Sequence, residues 1–166
     1  LTGASPRVQT LHDDLTFDGG NIVLSTAGTT TISTNYTSSG AGDILIDGTI
    51  DGTSGQSEEL QIRAGSGSLT IQGTIGGTNP VTNLTLGNTD ATGATHEIFG
   101  IGDADTVGAT GTVAIGTTNT SNITLDGTIY KSGGTQTYTA ATGGGNIDIT
   151  GAATFTTSAD NIAFNT

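Results

Sequence analysis

The feature that most restricts this 166-residue chain is a repeat kept by its apolar residues. Alternating apolar triplets recur along it, and three of them run on into Gly-Thr-Ile: Ile44-Leu-Ile-Asp-Gly-Thr-Ile50, Leu69-Thr-Ile-Gln-Gly-Thr-Ile75 and Ile123-Thr-Leu-Asp-Gly-Thr-Ile129. More degenerate copies begin at Ile22, Ile98 and Ile147. Successive starts, from Ile22 through Ile44, Leu69, Ile98 and Ile123 to Ile147, are spaced by roughly 22–29 residues, one solenoid coil each time. A second apolar strand follows each start at a nearly fixed distance. Leu60, Leu84, Val113, Tyr138 and Ile162 open it, each about 15 residues beyond the start of its coil. Tyr36 holds the equivalent place in the first complete copy, and Leu15 with Phe17 reads as the second strand of an incomplete preceding coil.

Successive side chains of a strand face opposite sides, so the outer residues of each triplet should point inward. Ile22/Leu24, Ile44/Ile46, Leu69/Ile71, Ile123/Leu125 and Ile147/Ile149 would then form stacked aliphatic columns, which Ile50, Ile75 and Ile129 extend beyond a Gly corner. At about 4.8 Å per coil, six to seven coils give a rod on the order of 30 Å long. Stretches 51–58, 76–81, 87–96 and 130–136 are expected to project as loops. The expected fold is all-β, a right-handed parallel β-solenoid over residues 15–166, with residues 1–14 as a cap, linker or docking segment. A β-sandwich also suits short strands with frequent turns. Near-identical coil starts fit it less well, because sandwich strands occupy different environments.

Composition agrees with a strand-and-corner architecture. Only 32% of residues are apolar, against 28 Gly, 36 Thr and 12 Ser. The branched Cβ of Thr suits a pleated surface, and Gly permits tight corners. Low hydrophobicity with a net charge of −12 can also mark disorder, but a disordered chain needs no alternation. There is no Cys, so neither disulfides nor thiolate metal sites can hold the fold. No apolar run approaches the roughly 18 residues of a membrane span. The chain starts at Leu1 and lacks Met, which reads as a processed or excised segment of something longer.

Fifteen acids against three bases disfavour nucleic acid, because Arg7, Arg63 and Lys131 cannot neutralise a phosphate backbone. For a cation, Asp47, Thr49, Asp51, Gly52 and Glu58 nearly match the spacing of an EF-hand loop. Strands rather than helices flank them, which favours a Gly corner and a solvated loop. Asp103 and Asp105, followed by Gly108, form a second candidate for calcium, with an acidic loop as the plain alternative. No cofactor is otherwise implied. Asp13/Asp14 and Glu58/Glu59 are adjacent pairs whose members diverge in a strand, and His12 and His96 accompany no nucleophile motif, so no catalytic residue is assigned. Outward Thr side chains, such as Thr70, Thr85 and Thr124, are too irregularly spaced for an ice-binding face. The Asn-X-Ser/Thr sites at Asn35, Asn83, Asn119 and Asn122 match the number that chance supplies. Val23, Leu45 and Phe99 are apolar at outward positions and are candidates for a lateral assembly surface.

The repeat style and the Gly-Thr-Ile segments, over about residues 15–166, resemble the β-strand repeats of very large bacterial surface and secreted proteins, including the filamentous-haemagglutinin-like adhesins. The resemblance implies an extracellular or cell-surface stalk or fibre. Its partners would be adjoining coils, or copies of itself stacked head-to-tail, with surface glycans as further ligands. The C-terminal Asn161-Ile-Ala-Phe164 reads as one more core strand without a cap, consistent with a solenoid that continues. A carbohydrate- or calcium-binding β-helix module is the alternative of a different class.

Overall fold

The computed structural model describes residues 5–35, 42–55, 57–87, 91–158 and 160–166. Every pairing between its strands is parallel. The chain winds through one strand on the third face, β1 (Arg7–Gln9), and then through six full coils. The first coil holds β2 (Leu15–Phe17), β3 (Ile22–Val23) and β4 (Gly28–Ser33), and the second β5 (Ile44–Ile46), β6 (Ile50–Asp51) and β7 (Glu58–Arg63). The third holds β8 (Ser68–Ile75) and β9 (Asn83–Leu86), the fourth β10 (Thr95–Ile101) and β11 (Val113–Ile115). The fifth holds β12 (Asn122–Leu125), β13 (Ile129–Ser132) and β14 (Gln136–Thr139). The last is β15 (Asn146–Ile149), β16 (Thr154–Thr157) and β17 (Ile162–Asn165). Strands β8 and β10 each run through a corner and serve two faces. This is a β-solenoid with three faces, and the parallel pairing excludes the sandwich.

The interior is a set of ladders. On the first face Leu15, Ile44, Leu69, His96, Ile123 and Ile147 lie over one another, as do Phe17, Ile46, Ile71, Ile98, Leu125 and Ile149. The second face stacks Ile22, Ile50, Ile75, Ile101, Tyr130 and Phe155. The third stacks Thr30, Leu60, Leu84, Val113, Gln136 and Ile162, with Ile32, Ile62, Leu86, Ile115, Tyr138 and Phe164 beside them. Between the end coils these apolar side chains are almost wholly excluded from water. Such burial is the main term holding a low-hydrophobicity chain together, at roughly 25 cal/mol per Å² of apolar surface.

The register corrects several expectations. Ile22 does not open a triplet; it pairs with Ile50 on the second face. Leu15 and Phe17 are the first-face strand of the first coil, not the second strand of an earlier one. The fourth coil is entered at His96, level with Leu69 and Ile123, so Ile98 sits further along the same strand. The coils therefore start at Leu15, Ile44, Leu69, His96, Ile123 and Ile147. On the third face Gln136, not Tyr138, is level with Val113. Ile129 is only partly buried, and Tyr130 takes its place in the ladder. Segment 130–136 is not simply a loop, since β13 runs to Ser132. Tyr36 lies outside the described residues.

The corners show why Gly follows the triplets. A Cβ on Gly48 would sit 1.9 Å from the carbonyl oxygen of Gly20 one coil below, and one on Gly73 would sit 2.3 Å from that of Gly48. None of the three has a positive φ, so the requirement is clearance between stacked backbones, not an unusual conformation.

Candidate functional site

Two of the acidic candidates, Asp51 and Glu58, serve the corners. Asp51 is buried on β6, and its Oδ1 accepts backbone N–H bonds from Thr78 at 2.8 Å and Asn79 at 3.3 Å in the next coil. Its Oδ2 accepts from the Thr49 hydroxyl at 3.2 Å. Glu58 is fully buried at the start of β7, where Oε1 accepts from the amide and hydroxyl of Thr53. Asp47 is exposed. Asp103 is also exposed, and its Oδ1 takes N–H bonds from Asp105 at 2.8 Å and Thr106 at 2.6 Å. The N–H of Thr106, then that of Asp105, hold its carboxyl below the usual range. Among the described residues no three His, Asp or Glu side chains are grouped to hold a metal ion.

The apolar surface candidates are placed apart. Val23 and Phe99 are each 46% exposed and Leu45 is partly buried. Leu45 lies on the first face and Val23 on the second, on adjacent coils, while Phe99 turns the corner of the fourth coil. They do not form one continuous strip.

At the upper end of the rod lies β17, the further core strand read from Asn161-Ile-Ala-Phe164. Strands β15, β16 and β17 are each paired on one edge only among the described residues. Ile149 is 47% and Phe164 44% exposed, beside partly buried Ile147, Phe155 and Ile162. Four aromatic rings pile up beneath this surface. Tyr130 stacks on Phe155 at 4.9 Å and Tyr138 on Phe164 at 5.0 Å, and Phe155 meets Phe164 edge-on at 5.3 Å.

The interior polar groups of Tyr130, Gln136 and Tyr138 are matched. The Tyr130 hydroxyl donates to the Ile98 carbonyl at 2.7 Å and accepts the Gly127 N–H at 3.0 Å. Gln136 Nε2 donates to the carbonyls of Tyr130 at 3.0 Å and Thr156 at 2.8 Å, while its Oε1 accepts from the Tyr138 hydroxyl at 2.9 Å. Burial pushes the Tyr130 phenol up to about 12 and raises that of Tyr138 further. The alternation of the triplets signals which side chains point inward, but nothing in it marks Gln136 as an interior residue.

The lower end differs. Strand β1 lies under β4 on the third face, whereas no described strand lies under β2 or β3. No protein-family model, curated protein or solved structure matches the chain. No helix among the described residues is long and apolar enough to cross a membrane.

Proposed function

We propose that this chain is a structural segment of an extracellular or cell-surface β-solenoid, extended at its ends into a longer stalk or a fibre, and that it does no catalysis. The observation that carries the reading is the upper end, where three strand edges stand open around a half-exposed aromatic and aliphatic ladder. Open parallel edges over an apolar layer are templates for another coil.

The lower end bears on what that coil belongs to. The third face has seven strands, while the first face has six. If an identical copy set its β2 on β15, its own β1 and the first copy's β17 would compete for the same edge of β4. Copy-on-copy stacking therefore needs β1 to leave or a missing rung on two faces. A stalk whose adjoining coils supply strands below β2 and β3 meets no such conflict, and this supports the stalk over the simple head-to-tail fibre.

Sedimentation velocity and electron microscopy of the isolated chain test the reading. Because β1 holds the edge of β4 that an identical copy would need, end-to-end association is expected once residues 1–14 are removed and not of the full chain, and Ile149→Lys with Phe164→Lys should disperse it while the rod stays folded. A shortened chain that stays monomeric at every concentration, or association untouched by those substitutions, would refute the upper end as a template.

A further inference from the structure

We propose that the outer surface of the third face, over β1, β4 and β7, is a binding site for an acidic saccharide, with Arg63 holding a sugar carboxylate. The site follows from side-chain lengths on three adjacent strands. The register sets Arg7 beside Thr31 beside Gln61, and Gln9 beside Ser33 beside Arg63. Short hydroxyl side chains thus run between two rows of long ones about 10 Å apart, since each strand step is about 4.8 Å. The result is a polar trough of about 270 Å³. Thr31 and Ser33 form its floor, and although they face outward they are only 8% and 1% exposed.

Charge concentrates here against the trend of the molecule. Two of the three basic residues in a chain of net charge −12 line this one trough. The Arg63 guanidinium is held by a bond from Nη2 to Gln61 Oε1, which fixes the fork, while its Nε–H is buried without a partner. Asn35 Oδ1, at the same end of the trough, is also buried without a partner. A donor and an acceptor left unmatched are unfavourable, so a ligand toward which both side chains turn relieves that cost.

Together these groups specify the ligand. A guanidinium fork is matched by a planar carboxylate. Asn35 Oδ1 requires a donor, which a neighbouring sugar hydroxyl supplies and a bare carboxylate does not. Hydroxyls and amides line the rest, and among the described residues no apolar side chain is present to anchor a peptide or a lipid. The volume lies just under the roughly 300–1,000 Å³ of drug-sized pockets, room for a single uronate ring. Orientation follows from Glu59, whose carboxylate sits beside Thr29 and is bonded by Asn83 and Thr29 at 2.8 Å each. It lies four residues from Arg63 along β7, about 13 Å, so the ligand carboxylate belongs at the Arg63 end. The site rests on β1 keeping its place beside β4, as it does in the stalk reading and would not if an identical copy displaced it.

Calorimetric titration of the full chain with galacturonate oligomers, neutral galactose oligomers and a poly-glutamate peptide tests this. Binding of the galacturonate oligomers alone is expected, weakened at least tenfold by Arg63→Gln and several-fold by Arg63→Lys, which keeps the charge but loses the Nε–H. Arg7→Gln and Asn35→Ala read the same trough should Arg63→Gln fail to fold, and each should weaken binding. Equal affinity for neutral oligomers, preference for the peptide, absence of binding, or affinity untouched by these substitutions would each overturn the assignment.

Discussion

Replacing Gly48 by Ala should damage this protein far more than replacing Gly20, although the two glycines stack on each other at the same corner. The added Cβ at position 48 would lie 1.9 Å from the Gly20 carbonyl oxygen, whereas one at position 20 meets nothing within 4 Å. Relief requires the second coil to lift by more than about 1 Å, since real Cβ contacts under 3.0 Å are essentially absent. The neighbouring inter-coil bonds, Ile22 N–H to Thr49 O at 2.9 Å and Asp47 N–H to Phe17 O at 3.0 Å, cannot survive that shift. Two lost backbone bonds at about 1 kcal/mol each, with about 1–3 kcal/mol of overpacking, give a cost of roughly 3–5 kcal/mol. That is a large share of the roughly 5–15 kcal/mol that keeps a typical domain folded. Gly20→Ala should change stability by less than about 1 kcal/mol. Urea unfolding followed by circular dichroism measures both, and Gly73→Ala, 2.3 Å from the Gly48 carbonyl oxygen, should behave like Gly48→Ala. Equal costs at positions 20 and 48, or a Gly48→Ala cost below about 0.5 kcal/mol, the scale of ordinary surface changes, would refute the clearance argument.

Alkaline stability should fall early. Tyr130 is fully buried and has a folded-state pKa raised to about 12 from 10.0, so the folded state keeps a proton that the unfolded state loses. Its contribution is fully present below about pH 10 and disappears as the pH rises to 12, a loss of about 3 kcal/mol at about 1.36 kcal/mol per unit. Tyr130→Phe should lessen the pH dependence of the melting temperature in that window by about half, since the Tyr138 phenol is raised further and keeps its own share, and an unchanged slope would contradict the assignment. Gln136→Leu should destabilise by about 2–4 kcal/mol in urea melts, although Leu matches the neighbouring ladder residues, because two carbonyls and the Tyr138 hydroxyl lose a buried partner. A neutral or stabilising result would show that the network contributes nothing.

The coil repeat, its approximate length and most of the ladder residues are legible in the sequence because aliphatic alternation reports directly on which side chains face inward. The misplacements in the later coils have two physical causes. Where an interior position is polar the pattern slips to the next apolar residue: His96 moves the expected fourth start to Ile98, and Gln136 moves the expected second strand to Tyr138. Where the corner changes length the second-face residue moves. Ile46 leads to Ile50, but Ile98 leads to Ile101 and Leu125 to Tyr130, which is why the Gly-Thr-Ile pattern points to Ile129 instead. The second face shows in the sequence only as a Gly-Thr-Ile tail, because it contributes as little as two residues per coil at β3 and β6. The trough is illegible for another reason: Arg7, Asn35 and Arg63 are far apart in sequence, and only the register of β1, β4 and β7 brings them to one surface.

Engineered cysteine pairs test the stacked register most directly, since the chain has no cysteine of its own. Thr70 and Glu97 face outward and are partners on adjacent coils. Their Cα atoms should lie about 4.8 Å apart, inside the roughly 4.4–6.8 Å that a disulfide spans. Thr70→Cys with Glu97→Cys should oxidise readily to an intramolecular bridge in the folded chain, while Thr70→Cys with Phe99→Cys should not. Efficient bridging of 70 to 99, or of neither pair, would mean that the coils do not lie over one another as described.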